Sequence, residues 1–191
     1  MSSTARSVRG CLITCGLVAA LGTWTFAQDR VNAHGAMVKA FQDRVNAYVK
    51  LHDDVANKLP KLNETSDPAK LHSREVALGQ ALQQARAGVK PGVLFGSDFG
   101  PFLRKLIRDD WRRRSRADRR SMMEEVPRDP VRINELYPTT HPLATFPAKL
   151  LEVMPPLPED LEYRFYGRHL IIRDIDANLV VDILPNAVPA T

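Results

Sequence analysis

Cysteine is almost absent from this chain, and its placement matters more than its number. The only two cysteines in the 191 residues are Cys11 and Cys15, both inside an N-terminal apolar run. We expect this run to be removed, which leaves no thiol for a disulfide, a Cys-ligated zinc or a thiolate nucleophile. The remaining chain must then be stabilised by its core, and it is long enough for one domain.

Glycine is also scarce, with 10 residues, and the sequence signatures of common enzyme classes are missing. There is no G-x-S-x-G elbow, phosphate-binding loop, H-E-x-x-H helix or dinucleotide fingerprint. Adjacent acidic pairs such as Asp53-Asp54 do not face one another on a helix. We therefore predict a non-enzymatic protein without a cofactor, with an enzyme of unrecognised type as an alternative.

No apolar run reaches the roughly 20 residues of a comfortable membrane span. Residues 11–26 come closest, and they follow a short positive start formed by Arg6 and Arg9. Together with small residues at the end of the run, this arrangement is typical of a secretory signal. We predict cleavage near Ala27 and a periplasmic or secreted protein, with an uncleaved anchor or lipidation at Cys15 as alternatives. Losing the two arginines lowers the formal charge from +5 to +3.

The pattern along the chain predicts an α+β fold with helices first and strands last. We divide the chain into a signal peptide at 1–27, a helical region at 28–126 and a proline-rich ordered connector at 127–160. A β-meander at 161–185 packs on the body, and a tail at 186–191 follows.

The helical region opens with a heptad stripe, which predicts a helix about 45 Å long ending at Pro60. The string QDRVNA occurs at residues 28 and 42, two heptads apart, so the repeat reflects the regularity of this helix. The stripe either packs on the second helix or forms a homodimer with another copy. Its members are Val31, His34, Val38, Phe41, Val45, Tyr48, His52, Val55 and Leu59.

Two further helices are indicated by their end signals. Asp67-Pro68 is typical of a helix start and Gly88 of a helix end, so a helical hairpin forms with the first helix. Ser97-Asp98 predicts the cap of a third, basic helix. Residues 121–126 either extend that helix or form a short fourth one.

Eight of the 14 prolines fall between positions 127 and 158, which excludes a long helix or a central strand there. The connector is too apolar for a free linker, so we expect an ordered extended segment with one helical turn after Pro147. After it, alternating apolar residues predict a three-stranded antiparallel meander with one half-apolar face. Its strands begin near Leu161, His169 and Leu179, and Gly167-Arg168 forms the first turn.

The most unusual feature is a basic cluster. Between Arg104 and Arg120 there are nine Arg or Lys and three Asp, a net charge of +6. Five cations share one face of a continuous helix, namely Lys105, Arg108, Arg112, Arg116 and Arg119. The arginine guanidinium is planar and donates hydrogen bonds to phosphate or carboxylate. Because we predict a signal peptide, we expect the binding partner to be an envelope protein or an anionic surface such as lipid headgroups or polysaccharide. We do not expect nucleic acid as a partner.

Two alternatives compete with that hypothesis. The basic face can be an ordinary solvated helix face with pairs at i and i+4, or it can pair with the acidic C-terminal region. A different site is suggested by His72 and Glu75, which lie one helical turn apart. With His52 on the neighbouring helix they could bind a metal in a periplasmic metal-homeostasis accessory protein.

The C-terminal segment LEYRFYGRHLIIRD at residues 161–174 resembles the ending of a group of small exported bacterial proteins. Their shared form is L-E-Y-R-x-x-G-R-x-L-I-x-R-D, and they also have a helical start and a proline-rich middle. The group has no known activity, so the resemblance implies an exported protein and no catalytic residue. More loosely, the meander is similar to the C-terminal hairpin of small periplasmic proteins linked to nickel and cobalt homeostasis.

Overall fold

The computed structural model describes residues 22–140 and 143–190, with side chains from Ala33 onward. Most of the predicted signal peptide, including both cysteines, lies outside the described residues. The chain divides into two compact units, Met1–Gly35 and Ala36–Thr191. The core, the sheet and the surfaces below all belong to the second unit.

Within the described residues, five helices precede three strands, which confirms the predicted α+β class. The elements are α1 (Gly22–Ala56), α2 (Pro68–Ala85), α3 (Gly96–Arg113), α4 (Arg116–Glu124), α5 (Ala148–Leu151), β1 (Leu161–Tyr166), β2 (His169–Asp174) and β3 (Leu179–Leu184). None of the described helices is both long enough and apolar enough to cross a membrane.

The heptad stripe of α1 packs inside the chain. Its buried members are Phe41, Val45, Tyr48, His52 and Val55, while His34 at the start is exposed. A homodimer through the first helix, still a prediction, would therefore need another face. The helix ends at Ala56, before Pro60, because Leu59 N–H turns back to the Ala56 carbonyl at 3.2 Å and the Arg74 guanidinium donates to that same oxygen at 2.9 Å.

The start of α2 agrees with the predicted cap. The Asp67 carboxylate accepts the Ala69 N–H at 3.0 Å, and Pro68 occupies the first turn. The helix ends at Ala85, three residues before the predicted Gly88. Midway along it, Gly79 lies so close to the β2–β3 turn that an added Cβ would meet the Ala177 carbonyl oxygen at 2.7 Å. This close approach places α2 beside the turn.

The predicted cap of α3 is wrong. The helix begins at Gly96 after Phe95, which provides no side-chain cap. Asp98 accepts the Phe99 N–H at 2.8 Å from within the first turn. The start of α3 is instead held from the sheet, because the buried Asp182 carboxylate accepts the N–H of Phe95 at 2.9 Å.

The sheet follows the order β1-β2-β3, with both pairs antiparallel. The predicted strand starts and the Gly167-Arg168 turn are confirmed. Gly167 has φ of 54° and Asn178 has φ of 48°, so each turn uses a residue that tolerates the left-handed region. The sheet therefore forms as alternation and turn chemistry predict.

Both faces of the sheet are covered, and not only one half-apolar face as predicted. All six residues of β3 are buried. One face joins the main core with Phe41 of α1 and Phe99 of α3. The other joins a second cluster with Tyr137 and Ile133 of the connector, which explains why every position of β3 is shielded from water.

The described residues of the connector are extended and packed on the body, as predicted. Asn134 N–H donates to the Val180 carbonyl at 2.8 Å, and Tyr137 N–H donates to the Asn178 carbonyl at 2.7 Å. The connector thus lies along the free edge of β3. The helical turn predicted after Pro147 is present as α5.

Candidate anion-binding surface

The basic cluster is divided between two helices. α3 ends at Arg113 and α4 begins at Arg116, because Ser115 adopts an extended conformation and caps the second helix. The Ser115 hydroxyl accepts the Asp118 N–H at 3.0 Å, and the Asp118 carboxylate accepts the Ser115 N–H at 3.2 Å. This reciprocal pair is a capping box. The single continuous basic face predicted from Lys105 to Arg119 is therefore wrong.

The five predicted cations fall into two groups. Lys105 pairs with Asp109 at 2.8 Å. Arg119 is fixed, since its guanidinium carbon lies 5.7 Å from the centre of the Trp111 ring and it donates to the Arg112 carbonyl at 3.2 Å. The other three are exposed, and their guanidinium groups form no hydrogen bond or ion pair with the described residues, namely Arg108, Arg112 and Arg116.

A groove on α4 gathers four arginines. It has a volume of about 540 Å³ and is lined by Arg116, Arg119, Arg120, Met123, Glu124 and Arg128. Arg116 and Arg120 are four residues apart, so they project from the same side of the helix. Each cation there repels its neighbours, and Glu124 is the one carboxylate among the residues that line the groove. The groove is consequently suited to a ligand with more than one negative charge.

Arg120 and Arg128 were not among the predicted site residues. The signal for Arg120 was its spacing of four from Arg116 on a helix that restarts after Ser115. Arg128 follows Pro127 and lies beyond α4, so helical periodicity could not have assigned it to this groove.

Two carboxyl groups near the basic surface have pKa values lowered by their neighbours. The Lys105 ammonium, through its hydrogen bond, lowers the pKa of the Asp109 carboxyl below its ordinary value. The bond from Ser115 lowers the pKa of Asp118 in the same way. Both carboxylates are tied to neighbours, and neither of them lines the arginine groove.

The acidic residues of the sheet also have other partners. Glu162 forms ion pairs with Arg164 and Arg173. Asp174 accepts a hydrogen bond from the Tyr48 hydroxyl at 2.6 Å. Asp182 accepts backbone N–H groups. Among the described residues, no bond joins these acids to the five predicted cations, so the alternative of internal pairing with the C-terminal region has no contact in its favour.

The three residues of the alternative metal site line one cleft between α1, α2 and the β2–β3 turn, with a volume of about 540 Å³. His52 is buried, and its Nδ1 lies 2.7 Å from the Asp174 carboxylate. His72 is exposed, with its Nδ1 3.9 Å from a Glu75 oxygen.

In the part of the chain that the structure describes, no group of three or more His, Cys, Asp or Glu is arranged to hold a metal. The bond to Asp174 raises the pKa of His52, and the carboxylates of Asp160 and Asp176 raise it further, while burial opposes them. When His52 is protonated, its own positive charge neutralises much of the negative charge of these carboxylates. Metal binding at His52, His72 and Glu75 stays a prediction. The three residues share one cleft, but in the described part of the chain they are not arranged as a set of metal ligands.

The fold and these two surfaces define an α+β protein with a helical body, a buried meander and an arginine-lined groove. Compared with known proteins, the chain matches no family model, no curated protein and no solved structure.

Proposed function

We propose that this is an exported, non-enzymatic protein that binds an anionic partner through the basic surface of α3 and α4. The observation that carries the proposal is the arginine groove on α4, where four guanidinium groups surround one space and one carboxylate faces them. The N-terminal arginines and the apolar run at residues 11–26 support export.

Arginine is well suited to this role because its guanidinium remains charged and donates two parallel hydrogen bonds to a phosphate or carboxylate. Arg119 is already oriented by Trp111, so less conformational freedom is lost when it binds a ligand. Arg116 and Arg120 are exposed and can turn toward the same anion. The groove thus combines one positioned donor with mobile ones.

The chemistry of the lining supports binding over catalysis. Among the described residues that line the groove, none is a serine, cysteine or histidine, so no nucleophile stands beside a base there. A cluster of arginines supplies charge complementarity and a fast electrostatically steered association.

The test uses inorganic polyphosphate as a soluble polyanion and the double variant Arg116→Gln/Arg120→Gln. We expect the double variant to bind about tenfold more weakly at low salt, because two charge-assisted contacts are lost. Raising the ionic strength should weaken wild-type binding more steeply than binding of the variant. Fluorescence titration or calorimetry measures both.

The matched control is Lys61→Gln/Lys70→Gln, which removes the same charge from exposed positions outside the groove. We expect it to change the affinity less than twofold. Equal weakening by the two double variants would show that net charge alone attracts the polyanion. An unchanged affinity in Arg116→Gln/Arg120→Gln would refute the groove as the binding surface.

A further inference from the structure

A different groove lies between α1 and the loop that joins α2 to α3, and we call it the α1 groove. It has a volume of about 480 Å³, and small-molecule sites usually measure about 300–1,000 Å³. Its polar lining residues are Arg44, Tyr48 and Arg86, and none of the described residues that line it is acidic. Its aliphatic lining includes Ala47, Leu51, Val89 and Val93.

Arg86 is a buried cation without an ionic partner. Only 7% of its surface is exposed. Its guanidinium donates to two neutral oxygens, the Val181 carbonyl at 2.7 Å and the Asn134 side chain at 3.4 Å, and it forms no ion pair with a described residue. A buried charge is costly when no opposite charge pairs with it. A negative group placed beside Arg86 would remove that cost.

The acids that attract Arg86 through space already have donors of their own. Asp182 accepts the N–H groups of the loop before α3, and Asp174 accepts the Tyr48 hydroxyl. Burial lowers the pKa of Arg86, and the opposing effects of Tyr48, Asp182 and Asp174 cancel this only in part. A ligand carboxylate would therefore supply an ionic partner that the described residues do not provide.

The guanidinium of Arg86 is within reach of a ligand in the α1 groove. Its central carbon lies 5.0 Å from the centre of the Tyr48 ring, and Tyr48 also lines the groove. Its Nε donates to no described residue, and it is not among the unpartnered nitrogens that are sealed from water, so it is open to solvent. Arg44 differs, because it donates to the Leu94 carbonyl at 2.7 Å and pairs with Asp98 at 3.4 Å. Arg86 is thus the cation of this groove that lacks a counter-ion.

We propose that the α1 groove binds an amphiphilic carboxylate, a small molecule that carries one carboxylate on an aliphatic chain. The carboxylate accepts the Nε–H of Arg86, and the aliphatic chain lies against Leu51, Val89 and Val93. The hydrogen bond is charge-assisted, and the chain contributes burial of apolar surface. This site shares no lining residue with the arginine groove on α4, so the inference goes beyond the proposed function.

The lining favours a ligand with one charge and an apolar body over a polyanion. Val93 is 43% exposed, and Leu51 and Val89 are half-buried, so an aliphatic chain would cover apolar surface that now faces water. A polyphosphate has nothing to place against these side chains. The two grooves therefore select different anions, because one gathers several arginines and the other has a single unpaired cation among aliphatic residues.

The first experiment compares octanoate with octan-1-ol as probes for the full chain. Both carry the same aliphatic chain, and only octanoate carries a negative charge. We expect calorimetry to show that octanoate binds about tenfold more tightly, because it alone forms a charge-assisted hydrogen bond with Arg86. Octanoate should be kept below the concentration at which it forms micelles. Equal affinities for the two probes would overturn the contact with Arg86.

A second experiment blocks the groove without changing Arg86. Ala47 is exposed on α1, so in Ala47→Trp the larger side chain can fill the groove and leave the core intact. We expect octanoate to bind about tenfold more weakly. The matched control is Ala36→Trp, which adds the same side chain at an exposed position earlier on α1 and outside the lining. Both variants keep the N-terminal apolar run, so octanoate bound there cancels in the comparison. Equal octanoate affinities in the two variants would refute the site.

A third variant, Arg86→Gln, removes the cation itself. We expect it to bind octanoate and octan-1-ol with similar affinities, and circular dichroism checks that it folds. If it does not fold, Ala47→Trp still decides the matter. Polyphosphate binding should be unchanged in Ala47→Trp, because Ala47 lies outside the arginine groove. Loss of octanoate binding by the wild type with polyphosphate binding intact would therefore refute this inference and leave the proposed function standing.

Discussion

Charged side chains occupy two regions of this protein in opposite ways. At the sheet, Asp174 and Asp182 are buried and each has protein partners, as for Asp174 with Tyr48 and His52. On α4, Arg116 and Arg120 are exposed, and Arg116 has no ion pair among the described residues. The difference separates charges that hold the fold from charges that face solvent.

The buried charges act as cross-links between distant parts of the chain. Asp182 of β3 binds the loop before α3, across a separation of 87 to 90 residues. Arg86 donates to the Val181 carbonyl at 2.7 Å and lies 5.0 Å from the centre of the Tyr48 ring. If the mature chain lacks cysteine, as predicted, such contacts do the work that disulfides do in many exported proteins. A buried charge is costly unless paired, so these positions tolerate little change.

The largest effect should come from breaking the contacts of Asp182. In Asp182→Ala, the N–H groups of Gly92, Leu94, Phe95 and Ile183 lose their acceptor. We expect the free energy of unfolding to fall by about 3–4 kcal/mol, because several buried donors lose their acceptor at once. Denaturant unfolding monitored by circular dichroism measures it.

The control for Asp182→Ala is Asp176→Ala, in the β2–β3 turn, where the side chain is exposed. We expect its effect to stay within about 0.5 kcal/mol, as for most surface substitutions. Similar losses in the two variants would contradict the division between buried and exposed charges.

The strands could be predicted from the sequence because alternation and turn residues act over a few positions. The hydrogen-bond partners of Asp182 could not be predicted, although the string VVDIL already places a carboxylate in an apolar strand. Which N–H groups it binds depends on how α3 docks on the sheet. Burial of all of β3 was missed for the same reason, since the connector that covers its second face carries no strand pattern.

A smaller effect should appear as a pH dependence centred on His52. Its hydrogen bond to Asp174 raises its pKa in the folded state above the unfolded value of about 6.5, helped by Asp160 and Asp176. The folded state then binds the proton more tightly. The resulting stability is fully present below about pH 6.5 and is lost as the pH rises through the folded pKa, with a slope of at most about 1.4 kcal/mol per pH unit.

Denaturant unfolding at a series of pH values should therefore show stability falling above pH 6.5 in the wild type, with this component missing in His52→Gln. The control is His72→Gln, which removes an exposed histidine of the same cleft and should keep the wild-type slope. Identical pH profiles for the wild type and His52→Gln would mean that folding does not raise the pKa of His52.

The position of the basic surface was predictable, whereas its shape was not. The density of arginine between positions 104 and 120 marked the region from composition alone. The break between α3 and α4 depends on a local signal, Ser115 followed three residues later by Asp118, which is a capping pattern inside a stretch that otherwise reads as helix. Overlooking that cap joined five cations into one face and omitted Arg120 from the groove.

The smallest effect should follow from removing this cap. In Ser115→Ala the Asp118 N–H loses its side-chain acceptor, and we expect α4 to lose about 1 kcal/mol of local stability. Hydrogen exchange should quicken at the amides of α4 while exchange in the sheet stays unchanged. Because the groove depends on the orientation of α4, polyphosphate affinity should fall about twofold to threefold although no charge is removed.

The matched control is Ser121→Ala, which changes an exposed serine inside α4. Because alanine favours the helix, both the exchange rates and the polyphosphate affinity should stay at the wild-type level or improve slightly. Faster exchange throughout the sheet in Ser115→Ala would instead mean that α4 and the core unfold as one unit, and that the exposed and buried charges are not energetically separate.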